Sequence, residues 1–91
     1  GLVHLEDHPA IDLALYPNPT DGYLHLGLDL PLTLPVSAAL LDLTGRTQWQ
    51  RSWAPTQHLT ERLDLRALPT GLYLLRLTLG QETFVLKVQR R

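Results

Sequence analysis

The amino-acid sequence predicts one all-β domain over residues 11–91, a seven-stranded antiparallel β-sandwich of immunoglobulin-like type. Apolar residues recur with a period of two almost from end to end, as half-buried strands require. Turn signals return about every ten residues, the spacing of short strands folded into two sheets. With 91 residues, 44% of them hydrophobic, the chain is one domain's worth and long enough to bury a core.

The first strand places Ile11, Leu13 and Leu15 inward. In the second, Tyr23 to Leu30, Leu24, Leu26, Leu28 and Leu30 alternate with Tyr23, His25, Gly27 and Asp29, one face apolar and the other wet. Leucine is a weak strand former, so pattern must override propensity there. A third strand turns Val36, Ala38 and Leu40 inward before Asp42, and a fourth runs from Thr47 to Trp53. A shorter fifth lies near Leu59 to Leu65. The last two, Leu72 to Leu79 and Glu82 to Gln89, form a hairpin turning at Gly80-Gln81, with Phe84, Leu86 and Val88 facing the core. The helical rival is Gln57 to Leu68, where Leu59, Leu63 and Ala67 fall four apart, but Leu65 and Leu68 spoil the stripe. One helical turn after Asp64, acting as N-cap, is the compromise expected there. Residues 1–10, with little alternation, read as the end of a linker to an upstream domain.

A formal net charge of −1 supplies no basic footprint for nucleic acid. The longest purely apolar string, Ala38 to Leu41, is far short of a membrane-spanning helix. Cysteine is absent, which removes disulfides and thiolate metal sites. Residue 1 is not methionine, which leads to the expectation of a piece of a longer protein. Gly1 to Pro9 has none of the features of an export signal, so any such signal is expected upstream.

Three turns stand out. In Tyr16-Pro17-Asn18-Pro19-Thr20-Asp21-Gly22, two prolines push Tyr16 and Asn18 toward extended geometry and Gly22 is free to take positive φ, making a rigid corner. In Asp42-Leu43-Thr44-Gly45-Arg46, Gly45 fits the left-handed bulge of a hairpin and Asp42 accepts a backbone N–H, while Arg46 is placed to pair with a carboxylate. In Leu68-Pro69-Thr70-Gly71-Leu72-Tyr73, the turn delivers a tyrosine to the start of a strand, like the tyrosine corner of sandwich domains. Each alone reads as backbone architecture.

In this order and at this spacing, the turns resemble one family: the C-terminal sorting domain of proteins exported by the type IX secretion system of Gram-negative bacteria, the Por secretion tails. The resemblance runs from Leu15 to Arg91. It rests on Tyr16 to Gly22, on Asp42, Gly45 and Arg46, on Leu68, Pro69, Gly71 and Tyr73, and on a final strand carrying Lys87, Val88, Arg90 and Arg91. It implies a cargo tag, monomeric and without cofactor, whose partners are the upstream cargo domain, the outer-membrane translocon and a sortase-like surface protease. On that reading the cargo transits the periplasm, crosses to the surface or exterior, and exchanges the tag at its upstream linker for a lipopolysaccharide anchor. Two departures stand against the pattern: no cleavage residue is evident in residues 1–10, and strand two is unusually rich in leucine.

Catalytic arrangements are thin. Ser37 and Ser52 lie in strand contexts without a nucleophile elbow. His4 and His8 have a metal-compatible spacing only on a helix, which Pro9 works against, and Glu6 and Asp7 in a linker make no glycosidase pair. His25 and His58 read as solvated surface. The alternative function, a carbohydrate-binding or adhesive module, rests on Trp49 and Trp53, about 13 Å apart along one strand face, a spacing for two stacked sugar rings. Against it stands the commoner use of tryptophan, to fill a core or cover a sheet edge.

Overall fold

A computed structural model of the chain describes residues 11–91 and the backbone of residues 2–4. It contains six strands and, among the described residues, no helix: β1 (Leu2–His4), β2 (Asp12–Tyr16), β3 (Tyr23–Leu41), β4 (Thr47–Asp64), β5 (Gly71–Leu79) and β6 (Glu82–Arg90). All neighbours in the sheet are antiparallel, in the order β1-β2-β3-β5-β6, with β4 on β3.

The all-β, antiparallel expectation holds, but seven separate strands of an immunoglobulin-like sandwich do not appear. The expected second and third strands are one 19-residue β3, and the expected fourth and fifth are one 18-residue β4. Proline fixes φ at a value compatible with extended backbone. At Pro31, Pro35 and Pro55 the chain therefore stays extended, and only the ladder breaks, with register shifts between Asp29, Leu34 and Val36. The helical rival also fails. β4 continues to Asp64, and a β-turn follows in which the Leu68 N–H donates to the Leu65 carbonyl at 3.0 Å.

A straight strand of β3's length would span about 60 Å, whereas the longest dimension of the molecule is 35 Å. The β3–β4 hairpin must fold back on itself. Its first arm, Tyr23 to Asp29, lies between β2 and His58 to Asp64. Its second arm, Val36 to Leu41, lies between β5 and Thr47 to Trp53. One curled sheet thus faces itself across a single core.

The predicted inward positions are buried: Ile11, Leu13 and Leu15 of the first segment, the four leucines of Leu24 to Leu30, and Val36, Ala38 and Leu40. Val88 is fully buried, and Phe84 and Leu86 pack partly buried against the same cluster. Each buried leucine contributes about 1.5–3 kcal/mol, more than the ~1 kcal/mol range of strand propensity. Burial therefore decides the conformation of this leucine-rich chain. The Gly80-Gln81 hairpin forms as expected, with Leu79 opposite Glu82.

Of residues 1–10, expected as linker, Leu2–His4 pair with β2. The remaining part of that expectation, with His8 and the acidic pair Glu6 and Asp7, lies outside the described residues, as do the side chains of His4 and its neighbours in β1.

Candidate functional site

The turn at Tyr16 to Gly22 is a clasp on the last strand. Counted along β6, alternate backbone groups point away from β5, and the loop satisfies them. The Asn18 side-chain amide donates to the Lys87 carbonyl at 2.8 Å, and its oxygen accepts from the Gln89 N–H at 2.9 Å. The Thr20 N–H donates to the Gln89 carbonyl, and the Arg91 N–H donates to the Thr20 carbonyl, both at 2.8 Å. These bonds join residues about seventy positions apart and tie the edge strand β6 to the loop between β2 and β3. The peptide bonds Tyr16-Pro17 and Asn18-Pro19 are both cis.

Thr20, which no isolated sequence signal marks beyond its place in the turn, is fully buried. Its hydroxyl donates to the Tyr23 carbonyl and accepts from the Gly22 N–H at 3.1 Å. Gly22 takes φ of +157°, the positive φ expected there and one that residues with a side chain rarely adopt. Close approach favours glycine as well: a Cβ on Gly22 would stand 2.7 Å from the Arg66 Cγ.

At the second turn, Asp42 Oδ1 accepts from the N–H groups of Thr44 at 2.9 Å and Arg46 at 3.0 Å, and from the Thr44 hydroxyl. The hydroxyl foremost, then the two N–H groups and the Arg46 charge, hold the Asp42 carboxyl below its usual range. Gly45 takes φ of +90°, the geometry for which glycine was expected. Arg46 does not form the expected ion pair among the described residues; its link to Asp42 is through the backbone.

At the third turn, the Tyr73 hydroxyl donates to the Pro69 carbonyl at 2.6 Å, a tyrosine corner as read from the sequence. Tyr73 itself is buried, and Leu68 packs against the core. Gly71 lies opposite Arg90 in the ladder. Asp64 begins this loop through Asx-type capping: it accepts from the Arg66 N–H at 3.1 Å and holds the guanidinium with two bonds of 2.9 Å. The side-chain bonds from Arg66, with its backbone N–H, hold the Asp64 carboxyl down to about 2 and push the Arg66 pKa up.

Tertiary structure gathers these turns. The Leu65 N–H donates to the Gly22 carbonyl at 2.6 Å. Arg90 Nε donates to the Leu65 carbonyl at 3.1 Å, and Arg91 Nε stands 3.1 Å from Asp21. The register, with Leu41 opposite Leu74 and Gly71 opposite Arg90, brings the Asp42 to Arg46 turn to this same end. Lys87 exposes its side chain and Val88 anchors the strand in the core. Every motif residue singled out in the sequence therefore lies at one end of the molecule or on the strand that enters it.

The tryptophans are elsewhere. Trp49, Arg51 and Trp53 stand opposite the buried Leu40, Ala38 and Val36, so they face the core side of an edge strand. The ring centroids are 6.5 Å apart and tilted by 48°, half-buried, with the Trp53 Nε1–H donating to Glu61 at 2.9 Å. Arg51 reaches the same carboxylate at 3.1 Å. This group seals the open margin between the two arms of β4 and is not the spaced pair of exposed rings that a sugar platform needs. Ser37 and Ser52 face each other across β3 and β4. No group of three or more metal-ligating side chains forms among the described residues.

The family model for the secretion system C-terminal sorting domain matches residues 14–89. No curated protein matches the chain.

Proposed function

The chain belongs to the family of secretion system C-terminal sorting domains, and from that premise we propose that it is the type IX tag of a larger cargo protein, read as a folded surface at the end where its turns meet. The observation that carries this reading is the clasp. The Asn18 and Thr20 contacts with Lys87, Gln89 and Arg91 make the signature turn and the chain's last strand one rigid unit. A receptor that contacts this end meets both segments only when the domain is folded. Passage through the periplasm to the surface or exterior of a Gram-negative cell, with exchange of the tag for a lipopolysaccharide anchor by a surface sortase-like protease, extends the same reading. It is supported by the family's character and by the position of the turns downstream of residues 1–10.

The test is to fuse residues 1–91 behind a periplasmic reporter in a strain carrying the system. The reporter is expected in the medium or on the surface. Its retention in the periplasm, with the domain folded, overturns the proposal. A reporter that is exported but keeps the tag intact would separate sorting from removal and overturn only the sortase step.

A further inference from the structure

The clasp accounts for Asn18 and Thr20 and the approach of Arg66 for Gly22, but Tyr16 lies outside both and outside the core. Tyr16 is 49% exposed, on the outer face of the sheet. It lies opposite His25, and His25 lies opposite Arg62, so the three form a row across β2, β3 and β4. The Tyr16 and His25 rings stack at 5.1 Å and 19°. One row on, Tyr23 carries two guanidinium groups against its ring, those of Arg62 at 4.4 Å and Arg66 at 4.6 Å. Beside them opens a cleft of about 400 Å³ whose walls include Pro17, Gly22, Tyr23, His25 and Arg66.

The two arginines are not equivalent. Arg66 is held by both oxygens of Asp64. Arg62 makes no ion pair or hydrogen bond among the described residues; it lies against the Tyr23 ring with the Asp64 carboxylate within Coulombic reach. A guanidinium stacked on an aromatic face keeps its N–H edge pointing outward, preset for a carboxylate. Tyrosine and arginine around a small cleft are the residues that dominate protein interfaces.

We propose that this face is where the sorting receptor touches the domain, through a segment that places a carboxylate on Arg62 and an apolar side chain in the cleft between Pro17 and Tyr23. The inference rests on the sorting function proposed above and names the chemistry of the partner. A protein segment fits better than an anionic membrane. Adsorption to anionic lipid draws on clusters of four to eight basic residues, whereas this face has one uncommitted cation, with Asp21 and Asp64 beside it.

The experiment compares reporter fusions carrying the wild-type domain, Arg62→Glu, Arg62→Gln and Arg76→Glu. Arg76 is exposed on the other arm of the sheet and lies outside the patch. Arg62→Glu is expected to lower the exported fraction at least about tenfold. Arg62→Gln should lower it less, and Arg76→Glu should match wild type. Thermal unfolding of the purified domains establishes that each variant is folded, and Arg62→Gln remains decisive if Arg62→Glu is not. Export of a folded Arg62 variant at the wild-type level overturns the proposal while leaving the sorting function intact; retention of the wild-type fusion itself removes both. Co-sedimentation of the wild-type domain with phosphatidylglycerol vesicles, lost in Arg62→Glu, would replace the protein partner with a lipid surface and overturn the inference.

Discussion

Both ends of this molecule are built from prolines, glycines and exposed turns, yet they are held differently. At one end, the bend at Pro31 to Pro35 and the Gly80-Gln81 turn meet through a bond from the Gly80 N–H to the Pro35 carbonyl at 2.9 Å, and Leu32 is left 63% exposed. At the other end, Asn18, Thr20, Gly22, Leu65, Arg90 and Arg91 are cross-linked by side-chain and backbone bonds between segments distant in sequence. Turn composition is alike at the two ends. What distinguishes the clasped end is that its turns fix one another, so their relative placement is set as it is in a strand pairing.

Removing Lys87 to Arg91 is expected to have the largest effect. Loss of Val88 burial alone removes about 1.5–3 kcal/mol, and the four clasp bonds to Asn18 and Thr20 go with it. For a domain of ordinary marginal stability, the expected result is loss of the cooperative unfolding transition together with export. A trimmed domain that melts like wild type would refute the clasp as a structural element.

A subtler break is Thr20→Val, which keeps the shape but leaves the Gly22 N–H and Tyr23 carbonyl without their buried partner. The expected cost is about 1–3 kcal/mol, a fall in Tm of roughly 4–8 °C per kcal/mol for a domain of this size. At the loosely held end, Leu32→Ser should stay within about 0.5 kcal/mol and export normally. Equal effects from the two substitutions would erase the contrast.

Tyr73→Phe sharpens the same contrast at a single bond. Removing the hydroxyl that reaches Pro69 should cost about 0.5–1.5 kcal/mol, measured by denaturant midpoint, with an unchanged fold. The smallest effect concerns charge. Because the Asp64 carboxyl is held down to about 2 in the folded chain, below its unfolded value, its contribution is complete above the unfolded value and disappears as pH falls through the folded one. A carboxyl resonance titrating near 2 in an NMR series would show it. A midpoint at the ordinary aspartate value would show that the Arg66 fork does not persist in solution.

Much of this is legible in the amino-acid sequence. The leucine alternation from Leu24 to Leu30 named the buried face correctly, because a period of two leaves only one face to bury. The Gly45 bulge, the Asp42 cap and the Tyr73 corner were local enough to read from neighbouring residues. The second and third expected strands are instead one strand through Pro31 to Pro35, since proline's fixed φ suits extended backbone and the chain bends there by losing ladder bonds rather than by leaving strand geometry. Arg62 and the cleft beside Tyr23 gave no linear signal. Their partners come from β2, β3 and the loop after β4, and only cross-strand register sets them side by side.

The sequence by itself determined the all-β class, the inward face of the segments from Ile11 to Leu40 and the local geometry of the turns at Asp42 and Tyr73, since these follow from contacts within a few residues. Tertiary structure decided that β3 and β4 run continuously through a fold-back, that Asn18 and Thr20 hold the last strand, and that the tryptophans seal a margin rather than form a platform. Those outcomes depend on which edge meets which once the sheet curls around its core. Such pairings reflect the whole core's packing, and no local period or turn residue encodes them.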